Sequence, residues 1–345
     1  MNQSRFSDYA KRLLLTVVVG VSLFLLWHTA EIFLFAFAGL LLAVFFRTLS
    51  KPLSEHTPIA DRWAVLIIVL LLLVLLGLAG WFFSPRLITQ AEQVVERVPQ
   101  ALGQLQGQIE RYPWGQRLLD ELPTEGGTSF RGVLPQVFST FSTTVNAIFH
   151  ALFIFFVGVF LAVSPRFYQR GLVRLVPKPK RQRAHEVIRA VITTLRRWLL
   201  GRLISMAAVG VFVSLGLWLL GMPLVLILGL LAALLDFIPF IGPFISAAPA
   251  VLLALVESPI QALYVALVYV AAQQLEGNLI TPLVQKETAS LPPVLTIIAV
   301  LAVGTLFGLP GLLVATPLLA VGLVLVKMLY VEDVLGDEVK VAGSE

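Results

Sequence analysis

Three short stretches of this sequence set groups able to bind protons, cations or polar solutes inside apolar surroundings. The first, Asp236-Phe237-Ile238-Pro239-Phe240-Ile241-Gly242-Pro243, ends the apolar run 224–235 with a carboxylate. Pro239 and Pro243 lack an amide hydrogen, so a helix continued through them leaves upstream carbonyls without donors. A carboxylate beside free carbonyl oxygens suits a cation or proton site, and an acid inside a membrane is functional by default. Asp236 is therefore a candidate proton carrier. The competing reading makes it the N-cap of the next helix at the membrane surface, a common use of Asp.

The second stretch is Gln273-Gln274-Leu275-Glu276-Gly277-Asn278, followed by Thr281-Pro282. Gln273, Gln274, Glu276 and Asn278 carry carbonyl or carboxylate oxygens, the ligands that hard cations and polyols take. On a helix Gln274 and Asn278 are i,i+4 neighbours, so the cluster could present one polar face. A polar helix end at the interface accounts for it equally well, since Lys286 and Glu287 follow. The third stretch holds Gly304, Gly308, Pro310 and Gly311, with Pro317 beyond. Gly304 and Gly308 form a G-x-x-x-G that serves either close helix packing or a moving gate, and the run 294–326 either spans once or folds as a hairpin. The candidate solute or ion path is thus Asp236, Pro239, Gly242, Pro243, Gln273, Gln274, Glu276, Asn278 and Pro282. Gly304, Gly308, Gly311 and Pro317 are gate or packing positions.

The elements that hold these groups must live in lipid. Of 345 residues 58% are hydrophobic and only 13% charged, against about 25% charged in a soluble domain. Mean hydropathy is +0.91. With no Cys and four scattered His, disulfides, thiol chemistry and a His/Cys metal site are excluded, and no phosphate-binding P-loop occurs. No cofactor and no metal are expected. Enzyme readings fail as well: an intramembrane aspartyl protease needs two Asp, and Asp236 is the sole Asp within the apolar runs or their breaks.

Apolar runs fall at 13–30, 32–46, 64–83, 145–163, 203–220, 224–235, 244–256, 260–272, 294–307 and 312–326. In hydrocarbon each must be helical, because unpaired backbone amides are too costly there. The C-terminal runs are shorter than the roughly 20 residues a span needs, so they read as broken or re-entrant segments. The fold class is an all-α polytopic membrane protein with about eight spanning helices. We divide it into a three-span region 1–84, an external polar helical loop 85–142, a fourth span 143–164, a basic interfacial segment 165–202, a C-terminal membrane region 203–330 with broken helices, and a tail 331–345.

Orientation follows from the basic residues. The N-terminus and the 47–62 segment carry three each and the 165–202 segment eleven, whereas 85–142 has five against six acids. The positive-inside rule then makes the N-terminus, 47–62, 165–202 and the tail cytoplasmic. In the external loop Leu87, Ala91, Val94, Val98, Ala101 and Leu105 repeat at helical spacing. They form either a seam between subunits or a helix lying on its own membrane domain, with Pro99 as a kink and 123–132 as a flexible turn. The 165–202 segment ends in a basic amphipathic helix suited to anionic lipid, and it lacks the interleaved aromatics of a nucleic-acid platform.

The runs 236–243, 273–282 and 304–317, with their surrounding spans, resemble the signatures of the autoinducer-2 exporter family of bacterial inner-membrane proteins, over nearly the whole chain. The resemblance implies a transporter, with relatives assigned to autoinducer-2 export or to exchange of Na+ or Li+ for protons, and homo-oligomers, plausibly pentamers. Two mechanisms stay open. In one, the broken helices line a path for a small hydroxylated solute. In the other, Asp236 and Glu276 exchange protons for Na+. A structural or assembly protein without cargo is the third reading.

Overall fold

The computed structural model describes residues 3–109, 144–280, 282 and 292–337; the turn expected at 123–132 and the end of the tail lie outside them. The described residues are helical and include no strand. In chain order the helices are α1 (Gln3–His56), α2 (Asp61–Ile109), α3 (Thr144–Val163), α4 (Pro165–Arg174), α5 (Arg181–Leu219), α6 (Val225–Leu235), α7 (Ile241–Glu257), α8 (Pro259–Leu275) and α9 (Pro293–Leu325). A 3-10 turn, Lys178–Lys180, links α4 to α5, and π-helical turns Glu276–Ile280 and Val326–Leu335 extend α8 and α9. By length and composition, four stretches can cross a membrane: Thr29–His56, Asp61–Phe83, Lys178–Leu219 and Pro293–Leu335. The bent pair Ile148–Val163 plus Pro165–Arg174 makes a fifth candidate, while α6 and α7 are apolar but short.

One expectation is corrected at the start of the chain. The runs 13–30 and 32–46 lie on a single 54-residue helix, α1, with no reversal between them. Glu31, the one residue separating them, is a good helix former and breaks nothing. The N-terminus and the 47–62 segment therefore sit at opposite ends of α1.

Two packed groups follow. In the first, Ala43 and Phe46 of α1 meet Val65 and Val69 of α2 and Ala162 of α3. Glycine makes the α1–α3 approach feasible: a Cβ at Gly39 would run into Val157, and one at Gly158 would press on Leu42. In the second group, Val209, Val213 and Leu217 of α5 share a core with Leu228 of α6, Ala250 and Leu253 of α7, and Val265 of α8. Here a Cβ at Gly210 would meet Ala233, and one at Gly216 would meet Val268.

α2 joins the groups. It stays helical through Pro85 and Pro99, and its second half lays Val94 and Val98 into the second core. Gln90 Oε1 accepts the Ile227 amide at 3.1 Å, which satisfies a donor that the start of α6 leaves without an intrahelical partner. Of the two readings of the helical repeat in 85–142, the structure therefore takes the intramolecular one. Val94, Val98 and Ala101 are buried against this chain's own helices, so that stripe is not available to another subunit; Leu105 lies outside the described side chains.

α9 resolves the second open alternative. Gly308 adopts φ 61°, ψ −142°, a backbone conformation close to glycine-only territory. A Cβ on Gly304 would collide with Leu312, and one on Gly311 with the Val303 carbonyl. Val300 and Ala315 pack in one cluster with Ile238, although a straight helix would hold residues fifteen apart about 22 Å from each other. The run folds back as a hairpin with its bend at Gly308.

At one end of the molecule the basic elements gather. α4 turns 87° from α3, and Pro165 suits its first turn, where the missing amide costs nothing. Arg183, at the start of α5, binds Glu186 at 3.1 Å, Glu332 and Asp333 at 2.9 Å each, and the Met328 carbonyl at 2.9 Å. These charge-assisted bonds converge on one guanidinium from two segments of the chain. They also clamp the Val326–Leu335 turns to α5.

Candidate transport site

The turn between α6 and α7 is shaped by its two prolines. Asp236 caps the C-terminus of α6, its amide donating to Ala232 O at 3.0 Å. The carbonyls that Pro239 and Pro243 would strand are Leu235 O and Pro239 O. They accept instead from Ile238 at 2.9 Å and Ile241 at 2.8 Å, so these two carbonyls are not left free. A tight turn has supplied nearer amides. The cost appears at Phe240, a non-glycine residue at φ 66°, in a region that bulky residues rarely adopt. Gly242 permits the turn, because a Cβ there would collide with the Leu235 carbonyl. The N-cap reading of Asp236 also fails: Phe240 occupies the N-cap position of α7, with no side-chain bond.

α8 begins at Ser258, whose Oγ accepts from the Gln261 amide at 3.1 Å, with Pro259 in the first turn. Its end loosens into the π-helical turn Glu276–Ile280, a form that recurs at functional sites. The polar cluster predicted there is split. Glu276 points inward. Gln274 and Asn278 are exposed and bond to each other, Asn278 Nδ2 donating to Gln274 Oε1 at 2.8 Å. Gln273 is half-buried, and Pro282 is exposed.

What the fold assembles is a charge cluster. Arg202 Nη1 donates to Glu276 Oε1 at 2.6 Å, and Nη2 lies 3.4 Å from Asp236 Oδ2. The side chains of Arg202, Asp236 and Glu276 are 11%, 1% and 13% exposed, so all three are largely removed from solvent. Asp236 Oδ1 and Oδ2 and Arg202 Nε are buried with no hydrogen-bond partner. Trp198 on α5 meets Phe237 edge-on, with ring centroids 5.7 Å apart, and packs the turn against that helix. Tyr269 OH ties α8 to α7 by donating to Ser246 O at 3.2 Å.

With all three groups ionised the cluster carries one net negative charge, and a buried unbalanced charge is strongly disfavoured. A proton or a monovalent cation restores neutrality. No group of three His, Asp or Glu side chains that could hold a metal ion occurs among the described residues.

Arg202 is absent from the sequence candidates because it closes the basic segment 165–202 and reads there as one more interfacial charge. A signal for it does exist: it is the last basic residue before the charge-free stretch 203–219, and two carboxylates in nearby breaks require a counter-charge. The gate or packing positions contribute no ionised group to the cluster. Gly304, Gly308 and Gly311 shape the α9 hairpin, and Pro317 is buried in its second arm.

Membrane-length helices, an α6–α7 break built on Pro and Gly, an α9 folded back at Gly308 and a buried charge cluster beside the breaks mark an integral membrane protein. Comparison with known proteins narrows the class. Residues 13–330 match the family described as AI-2E family transporter, and the chain belongs to that family. Relatives bearing the name "Putative transport protein" include the following three. YrrI of Bacillus subtilis is 27% identical over 89% of this chain and 91% of its own. YueF of the same organism is 26% identical over 86% and 84%, and YhhT of Escherichia coli K12 is 24% identical over 82% and 81%. Membership in this family gives the protein a transporter role.

Proposed function

We propose that this protein is a secondary transporter driven by, or exchanging, protons and Na+, with Asp236 and Glu276 as the exchanging carboxylates and Arg202 as their built-in counter-charge. The observation that carries this reading is the pair of buried Asp236 oxygens without hydrogen-bond donors, in a cluster one charge short of neutral. Uptake of a proton or Na+ neutralises the cluster, and release recreates the deficit. Each ion thus lowers the affinity for the other, which is the requirement for exchange. The basic end, with 47–62 and 165–202, is then the cytoplasmic side of a bacterial inner membrane, by the excess of Lys and Arg there.

A second reading, export of a small polar solute of the autoinducer-2 kind, is favoured by the family description and uses the same cluster for coupling. Gln274 and Asn278 contribute little to a solute path in this arrangement, since they satisfy one another on an exposed face. The test is proton movement in proteoliposomes with a trapped pH dye, driven by Na+, for the parent chain, Asp236→Asn and Glu276→Gln. A Na+-dependent signal lost in either variant supports exchange at the cluster. No signal above protein-free liposomes from about pH 6 to 9, the range bracketing neutrality in which coupling groups work, refutes Na+/H+ exchange and leaves solute export.

A further inference from the structure

A second feature of the molecule has amphiphilic chemistry of its own. Between α1, the α3–α4 elbow, α5 and α9 lies a partly open cavity of about 650 Å³. Its lining does not include Arg202, Asp236 or Glu276. The deep wall is apolar, with Leu40, Val44, Val191, Ile192 and Val321 among its residues, and the rim is charged.

The rim is not self-satisfied. Arg47 is held by Asp61 at 3.6 Å and by the Ala162 carbonyl at 2.9 Å, and Lys51 pairs with Glu55 at 3.4 Å. Arg196 makes no ion pair among the described residues, so three cations face two carboxylates and one positive charge is left over. The cavity's depth is set by its neighbours. α4 lies nearly perpendicular to α3 and spaces Arg166, Arg170 and Arg174 along one side, as a helix resting in the plane of a bilayer surface does. A cavity flanked by such a helix sits at headgroup level, with its apolar wall reaching toward the acyl region.

We infer that this cavity is a binding site for one anionic membrane phospholipid, its phosphate at Arg196 and the head of one acyl chain along the wall formed by Val44, Val191 and Val321. An unpaired guanidinium is matched to phosphate in geometry and charge. The apolar wall excludes a wholly soluble anion as the natural occupant, and the leftover positive charge selects an anionic over a zwitterionic headgroup.

The test uses the full-length chain, delipidated in detergent and examined by native mass spectrometry with phosphatidylglycerol and phosphatidylcholine of identical acyl chains. The parent chain is expected to retain one phosphatidylglycerol with roughly five-fold preference over phosphatidylcholine, the effect of one basic residue near a lipid phosphate. Arg196→Gln should erase the preference and Arg196→Lys should keep most of it. Val191→Trp should block retention of either lipid by filling the wall. Arg196 is on the rim, so its substitution tests the assignment even where the tryptophan variant fails to elute as a folded species. Equal retention of both lipids by the parent chain, or undiminished preference in Arg196→Gln, overturns the proposal. Displacement by soluble glycerophosphate alone would reveal a soluble-anion site and overturn it too.

Discussion

Replacing Arg202 by Gln tests the charge arithmetic of the cluster most directly. The guanidinium is 11% exposed and faces two carboxylates that are 1% and 13% exposed. Removing it takes the cluster from one net negative charge to two, with no compensating cation. Breaking a buried ion pair by deleting one partner costs about 3–5 kcal/mol, because the remaining charge is left uncompensated. With about 2–4 °C lost per kcal/mol in a chain of a few hundred residues, Tm should fall on the order of 10 °C. Asp236→Asn and Glu276→Gln each bring the cluster to zero net charge, so each should cost less than Arg202→Gln. The double variant Asp236→Asn/Glu276→Gln leaves Arg202 alone and should again be severely destabilised. The assay is thermal unfolding of detergent-purified protein followed by fluorescence-detected size exclusion, with all four variants in parallel. If Arg202→Gln melts no lower than Asp236→Asn, Arg202 is not the counter-charge, and the coupling assigned to this cluster loses its basis.

Three further outcomes are expected. Cysteines introduced at Val300 and Ala315 should be joined by a short bifunctional thiol cross-linker, because the hairpin places both in one cluster with Ile238; a straight helix would keep them about 22 Å apart, and the absence of cross-linking would reject the hairpin. Gly242→Ala should abolish transport or expression by forcing a Cβ into the Leu235 carbonyl, at a cost of roughly 1–3 kcal/mol; unchanged activity and Tm would show that the turn is looser than described. Arg183→Gln should raise hydrogen exchange in Val326–Leu335 while leaving α6 and α7 unaffected, because it removes the clamp to Glu332, Asp333 and the Met328 carbonyl. Unaltered exchange in that segment would mean that helix packing, not Arg183, holds it.

Much of the architecture was legible in local pattern. The three polar stretches at 236–243, 273–282 and 304–317 all coincide with departures from regular helix: the α6–α7 turn, the π-helical turn after α8 and the bend at Gly308. Pro and Gly act on their own backbone within a few residues, so their effect is readable without knowing the neighbours. The two runs that flank Glu31 show the converse, since they form one helix. A charge between two apolar runs suggests an interface, but Glu is a good helix former and nothing in the backbone obliges a reversal there. The repeat of Leu87, Ala91, Val94, Val98 and Ala101 announced a buried stripe without saying against what. Periodicity shows that one face is covered; only packing shows that this chain's own α5–α8 core covers it.

By itself the sequence determined the solvent, the helical class and the positions of the breaks, because hydropathy and backbone chemistry are properties of short segments. The tertiary structure decided which charged groups meet. Arg202 lies 74 residues from Glu276 in sequence yet 2.6 Å from it in space, and Gln274, two residues from Glu276, faces the other way. An ion pair between distant segments depends on the register and rotation of three helices packed through their glycines, and such geometry leaves no imprint on the residues immediately around it.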